Sequence, residues 1–265
     1  MTTDDLGTPF VPRETVRRVV SLVPSLTESL AATAPGLLVG ATAWCERPAD
    51  LDVTRIGGTK NPDLAAIVAL GPDLVLANEE ENRPADLDAL REAGVPVWVT
   101  KVRTLDEAFV SLRRMFSLAC GLPEPSWLAE AERAWRAVPP SPVVRRAVVP
   151  VWRRPWMVLG RDTFAGDLLL RLGVGNLYAG HPERYPRVGL PELLAAGADL
   201  VVLPDEPYRF SSEDGPGFFP GVPAALVSGR HLTWYGPSLA EAPAVLGRAL
   251  AVKQQTNLTD KNLNS

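Results

Sequence analysis

The chain has 265 residues, with 27 basic and 31 acidic side chains and a net charge of −4. At ~100–200 residues per domain this is one large or two small domains, each with its own core, which excludes a disulfide-stapled module. With 46% hydrophobic and 22% charged residues it is neither disordered nor fibrous, and an acidic balance has no attraction for phosphate backbones or anionic membranes, so neither is an expected partner.

Residues 1–16 read as an N-terminal extension. The stretch Met1 to Pro9 has acidic residues where an export signal has basic ones, and no apolar run reaches the ~18 residues that span a bilayer. A cytoplasmic monomer is expected from the chain as written, and an extracytoplasmic protein if a signal peptide precedes it. The 26 prolines require many rigid turns.

A first α/β lobe is expected over 17–122. The β-branched run Val19 to Val23 is a strand ending at Pro24-Ser25, where Ser25-Leu26-Thr27-Glu28 has capping-box spacing for a helix through Ala34. Leu37 to Ala43 reads as a strand, Asp63 to Leu70 as a helix and Asp73 to Ala77 as a buried strand. Asp86 to Ala93 then gives a helix and Val95 to Thr100 a strand. Such alternation marks a parallel sheet. Leu105, Ala108, Phe109, Leu112, Met115, Phe116 and Ala119 fall at helical spacing before the stop at Gly121 to Pro125. Ser126 then caps a connector helix within 123–142, braced by Pro139, Pro140 and Pro142.

The same plan returns in a second lobe, 143–250. Asp63 to Leu76 matches Gly189 to Val202 without a gap, and Arg145-Arg146-Ala147-Val148-Val149 stands where Arg17-Arg18-Val19-Val20 stood. The tail 251–265 differs in composition, holding both glutamines and three of the seven asparagines of the chain, and reads as foreign or disordered.

Ligands of open α/β sheets bind outside the carboxyl ends of the strands. Here those ends carry Pro24, Ser25, Trp44, Asn78 and Glu80 in the first lobe. In the second they carry Arg153, Arg154, Trp156, Tyr208, Arg209, Phe210, Trp234 and Tyr235. Rings and guanidinium groups suit a large, flat, partly apolar ligand bearing amides or carboxylates. Each tryptophan reads equally well as a core residue, and Glu79-Glu80-Glu81 reads either as a solvated helix start or as a ligand or general base. No metal-ligating or catalytic pattern stands out, and Cys45 and Cys120 leave a single disulfide open.

At Val19 to Glu28, Gly57 to Pro62 and Leu64 to Leu76 the chain resembles the helical-backbone metal receptor family, the cobalamin-, haem- and ferric-siderophore-binding proteins that serve ABC importers. The resemblance implies two α/β lobes of the class III periplasmic-binding-protein type. A rigid helix joins them, and a metal chelate is held in the cleft against aromatic side chains, with no other cofactor. It also implies a glutamate on each lobe for docking to the permease, where this chain has Ala65 and Pro191, with Asp63 and Glu192 only nearby. That argues against an ABC permease as partner. The Asn78 to Arg83 and Trp234-Tyr235-Gly236 segments are similar to a branch of the family that lacks export signals. The alternative is a cytoplasmic enzyme acting on a chelate or biosynthetic intermediate through Glu79 to Glu81.

Overall fold

The computed structural model describes residues 2–251, so the tail beyond Ala251 lies outside the described residues. The described residues divide into two compact units, unit 1 over 2–139 with Thr233–Glu241, and unit 2 over Pro140–Leu232 with 242–251.

Unit 1 is built on β1 (Val19–Ser21), α1 (Pro24–Thr33), β2 (Leu38–Ala41), β3 (Thr54–Arg55), α2 (Leu64–Ala69), β4 (Leu74–Asn78), α3 (Pro84–Glu92), β5 (Val97–Thr100), α4 (Leu105–Arg114) and α5 (Ser126–Arg136). Its sheet has the order β3-β2-β1-β4-β5, with every pairing parallel. The central strands are apolar runs with both faces covered, and Val19, Val20, Leu74, Val75 and Leu76 are fully buried.

Local chemistry explains most boundaries. The Asp63 carboxylate accepts from the Ala66 amide and caps α2, and the Thr104 hydroxyl does the same for α4 through the Glu107 amide. The capping box expected at Ser25 to Glu28 does not form. Pro24 takes the first helical position, where its missing N–H costs nothing, and Val23 becomes the residue before the helix. Ser126 does not cap α5 either: it is the first residue of the helix, and Pro125, which has no side-chain acceptor, stands at the cap position. Beyond α4 the helix continues as one π turn, Met115–Ala119, and Gly121 leaves it at φ +66°.

Unit 2 contains β6 (Arg145–Val148), β7 (Pro150–Arg153), β8 (Trp156–Val158), α6 (Phe164–Arg171), β9 (Val174–Asn176), α7 (Leu190–Ala195), β10 (Leu200–Pro204), β11 (Ala224–Val227), α8 (Gly229–Thr233) and α9 (Ala242–Leu250). Its parallel sheet has the order β11-β10-β6-β9, which reproduces β5-β4-β1-β2 of unit 1 strand for strand. The repeat read from Asp63 to Leu76 and Gly189 to Val202 is therefore a repeat of topology. Unit 2 adds the antiparallel hairpin β7-β8. No helix among the described residues is long and apolar enough to cross a membrane.

Candidate functional site

In unit 2 the hairpin β7-β8 and the loop after β10 carry Arg153, Arg154, Trp156, Tyr208, Arg209 and Phe210. Trp156 is half-buried against the core. It stacks on Phe210 with ring centroids 6.2 Å apart and meets Phe218 and Phe219 edge-on at 5.5 and 5.6 Å. Phe210 is buried beneath it. These two rings form the support of the face. Its outer ring is Trp152, 41% exposed and edge-on to Tyr208 at 5.5 Å. Trp152 opens the strand-end run Trp152 to Trp156, and strand alternation puts it on the side of the hairpin opposite the buried Val151. Arg154 and Arg209 are exposed.

Arg153 is held from several sides. Its Nε lies 3.0 Å from an Asp214 carboxylate oxygen and donates to the Tyr208 hydroxyl at 3.0 Å, while an Nη donates to the other Asp214 oxygen at 3.2 Å. The Tyr208 hydroxyl in turn donates to Asp214 at 2.5 Å. The guanidinium sits 4.9 Å from the Phe218 ring centre and 5.7 Å from that of Tyr208. Gly215 makes the approach of Asp214 possible: its φ is +148°, and a Cβ there would come within 2.9 Å of Leu203 and 3.1 Å of Phe210.

In unit 1 the equivalent strand ends are polar. Asn78, expected at the rim, is buried and fully engaged. Its amide nitrogen donates to the Tyr235 hydroxyl at 2.7 Å and to the Thr100 carbonyl at 3.1 Å. Its amide oxygen accepts from the Glu80 and Glu81 amides at 2.8 and 3.2 Å. Glu79 to Glu81 therefore form a turn closed by Asn78, and the helix begins only at Pro84, which corrects the helix start expected at the glutamates. Glu79 is paired with Arg103 at 3.4 Å, and the Lys60 ammonium donates to the Glu80 carbonyl. Burial raises the Glu81 carboxyl pKa, with Lys60 lowering it and Glu80 raising it, though the residue keeps an exposed surface.

Trp44, 65% exposed, stands on the loop after β2 beside the Gly57-Gly58 turn, where a Cβ on Gly58 would lie 3.5 Å from the indole nitrogen. Pro24 is half-buried and Ser25 buried at the start of α1. Trp234 and Tyr235 belong to the segment Thr233–Glu241, which is part of unit 1 although it follows β11 in the chain. Gly236 allows this: a Cβ on it would meet the Ser29 hydroxyl at 2.7 Å and the Ser25 carbonyl at 3.2 Å. Burial pushes the Tyr235 phenol well above its usual pKa, so it stays a neutral hydrogen-bonding group. The structure leaves Cys45 and Cys120 as buried free thiols, which closes the question of a disulfide between them. Among the described residues no cluster of three metal-ligating side chains occurs.

The fold of two parallel α/β units, with matching strand orders, is that of the two-lobed class III periplasmic binding proteins. No protein-family model matches the chain. It is 24% identical over 210 residues to the vitamin B12-binding protein of Pectobacterium carotovorum, covering 74% of each chain. It is 26% identical over 195 residues to the vitamin B12-binding protein of Salmonella typhimurium, covering 70% of this chain and 71% of that one. Among solved structures it is similar to the periplasmic vitamin B12 binding protein of Vibrio cholerae, with a TM-score of 0.69 at 20% identity over 89% of this chain and 96% of that one. It is also similar to the periplasmic heme-binding protein BhuT in complex with two hemes, with a TM-score of 0.73 at 22% identity over 88% and 97%. These likenesses in sequence and fold bear out the resemblance to the helical-backbone metal receptor family.

Proposed function

We propose that the chain is a substrate-binding protein that holds a metal chelate of the cobalamin or haem type. The observation that carries this reading is the face of unit 2, where Trp152 and Tyr208 stand on a support of Trp156, Phe210, Phe218 and Phe219. Rigid rings backed by rings give a flat ligand contact area with little conformational entropy to lose. The names of the sequence relatives support the same ligand class. In unit 1, Trp44 is the exposed ring beside the strand ends. Ala65 and Pro191 are exposed on α2 and α7 and carry no charge, which supports a role apart from docking to permease arginines.

Isothermal titration with cyanocobalamin, haemin and a ferric siderophore tests this reading. Binding of cyanocobalamin or haemin with a Kd of ~10 μM or tighter is expected. Failure of all three to bind at that level overturns it.

A further inference from the structure

Resting on that reading, we propose that Asp214 sets the charge preference of the ligand: by compensating Arg153 it disfavours chelates that carry carboxylates and favours neutral ones whose periphery bears amides. From sequence, Arg153 is a grip for ligand oxygens. The structure gives it another occupation. Nε donates to the Tyr208 hydroxyl and lies 3.0 Å from one oxygen of Asp214, an Nη donates to the other oxygen, and the aromatic rings of Phe218 and Tyr208 flank the group. Only 13% of the Arg153 side chain is exposed. A ligand carboxylate approaching this face meets an arginine whose charge is cancelled about 3 Å away, so it gains little attraction, and it must also face the 34% exposed Asp214 carboxylate. A neutral amide carries no such penalty.

The exposed guanidinium groups of Arg154 and Arg209 do not restore the preference, because a solvated charge on a long side chain contributes little to a pairwise interaction. Asp214 is built into position by the loop. Its amide donates to the Ser211 hydroxyl at 3.2 Å, its carbonyl accepts from the Ser211 amide at 3.1 Å, and Gly215 follows in the conformation that only glycine takes readily. It acts through Arg153 and is a specificity-determining residue rather than a primary ligand contact.

The test compares cyanocobalamin, haemin, whose two propionates are ionised, and haemin dimethyl ester, in which they are masked. The wild-type chain is expected to bind cyanocobalamin more tightly than haemin and to bind haemin no more tightly than its ester. Asp214→Asn keeps the size of the side chain and one of its two acceptors and removes the charge. It should tighten haemin about tenfold or more and change cyanocobalamin and the ester by less than about threefold. Adding Arg153→Met to Asp214→Asn should abolish that gain. A wild-type chain that binds haemin about tenfold more tightly than the ester overturns the proposal without any variant. So does an Asp214→Asn chain, folded by circular dichroism, whose preference between haemin and its ester is unchanged. Absence of binding to all three overturns the ligand class itself, and the two failures are therefore distinct.

Discussion

Asp73 and Arg18 are joined twice. The Asp73 amide donates to the Arg18 carbonyl at 2.8 Å, and the Asp73 carboxylate accepts from the Arg18 amide at 3.0 Å and from that of Arg17 at 2.9 Å. Asp199 and Arg146 repeat the arrangement in unit 2, with the Asp199 amide donating to the Arg146 carbonyl at 2.8 Å and the carboxylate accepting from the Arg146 amide at 2.9 Å. In each unit this aspartate fixes where the central strand begins against its neighbour. Asp73→Ala should cost about 2 kcal/mol, and Asp199→Ala, which gives up one amide bond instead of two, about 1 kcal/mol. Urea unfolding of the two variants checks the order, and equal losses would show that the carboxylates do not act by this count of amides.

The bond between Asn78 and Tyr235 leads to a second expectation. Asn78→Ala removes a buried side chain that serves two acceptors and two main-chain donors, and should destabilise the protein by about 3 kcal/mol. Tyr235→Phe removes one hydroxyl and leaves the Asn78 amide nitrogen its bond to the Thr100 carbonyl, so about 1 kcal/mol is expected. Hydrogen exchange should show the loss in the amides of Glu80 and Glu81, which bond to the Asn78 side chain. Unchanged protection there would contradict the role given to Asn78.

The elements legible in the sequence were those governed by near neighbours. The apolar run Leu74 to Ala77 and the match of Asp63 to Leu76 with Gly189 to Val202 are local patterns, and they fall on α2-β4 and α7-β10, whereas the sheet orders rest on pairing between strands distant in sequence. Capping expectations failed at both serines because Pro24 takes the first helical position ahead of Ser25, and because α5 begins at Ser126 itself with Pro125 in the cap position. The site was less legible, because its decisive contacts are distant in sequence. Tyr235 meets Asn78 across 157 positions, and Arg153 is neutralised by Asp214 across 61. A sequence pattern shows that Arg153 is charged but not that a carboxylate on a later loop cancels the charge.

The thiols give a chemical check on the packing. Cys120 is buried, and its pKa is pushed up to about 12 by desolvation, while Cys45 is raised by burial despite bonds from Thr27 and Thr42 at 3.0 and 3.2 Å. At pH 8 the Cys120 thiolate fraction is ~10⁻⁴ even before access is considered. A disulfide-exchange reagent should therefore find almost no reactive thiol in the native protein and both thiols in denaturant without reductant. Rapid native reaction would contradict the burial, and silence in denaturant would contradict the free thiols.

Glu81 makes stability depend on pH in a direction opposite to a paired carboxylate. Its pKa is raised in the folded state by desolvation, so the protonated form favours folding. That stabilisation is present below the ordinary carboxylate pKa and is lost as pH rises through the raised folded value. At neutral pH the ionised group is therefore a small liability. Glu81→Gln should raise Tm by about 1 °C at pH 7, a value kept small by the exposed part of the side chain, and by nothing near pH 4. A gain that is larger at pH 4 than at pH 7 would reverse the sign and exclude desolvation as the cause.

The N-terminal residues are a structural part of unit 1, and this gives the last prediction. β5 is the edge of its sheet, and the Asp5 amide donates to the Val99 carbonyl at 3.1 Å, covering an edge that would otherwise offer unpaired main-chain groups. The Asp5 carboxylate accepts from Arg114 at 2.5 Å, from the Lys101 amide at 3.2 Å and from the Ser111 hydroxyl. Phe10 packs edge-on to the fully buried Trp98 at 5.2 Å, and the Arg114 guanidinium lies 5.5 Å from the same ring. Asp5→Ala leaves Arg114 with the Thr3 and Asp4 carbonyls alone and takes the acceptor from the Lys101 amide and the Ser111 hydroxyl, and should cost about 2–3 kcal/mol. Deleting residues 2–10 should cost more, because it also uncovers Trp98 and the β5 edge. The deletion should shift tryptophan emission to the red in the native state and promote self-association with rising concentration, whereas Asp5→Ala should lower stability with little change in emission. A deletion variant with native emission and wild-type stability would show that the arm merely rests on the sheet and that Trp98 is sealed by other residues.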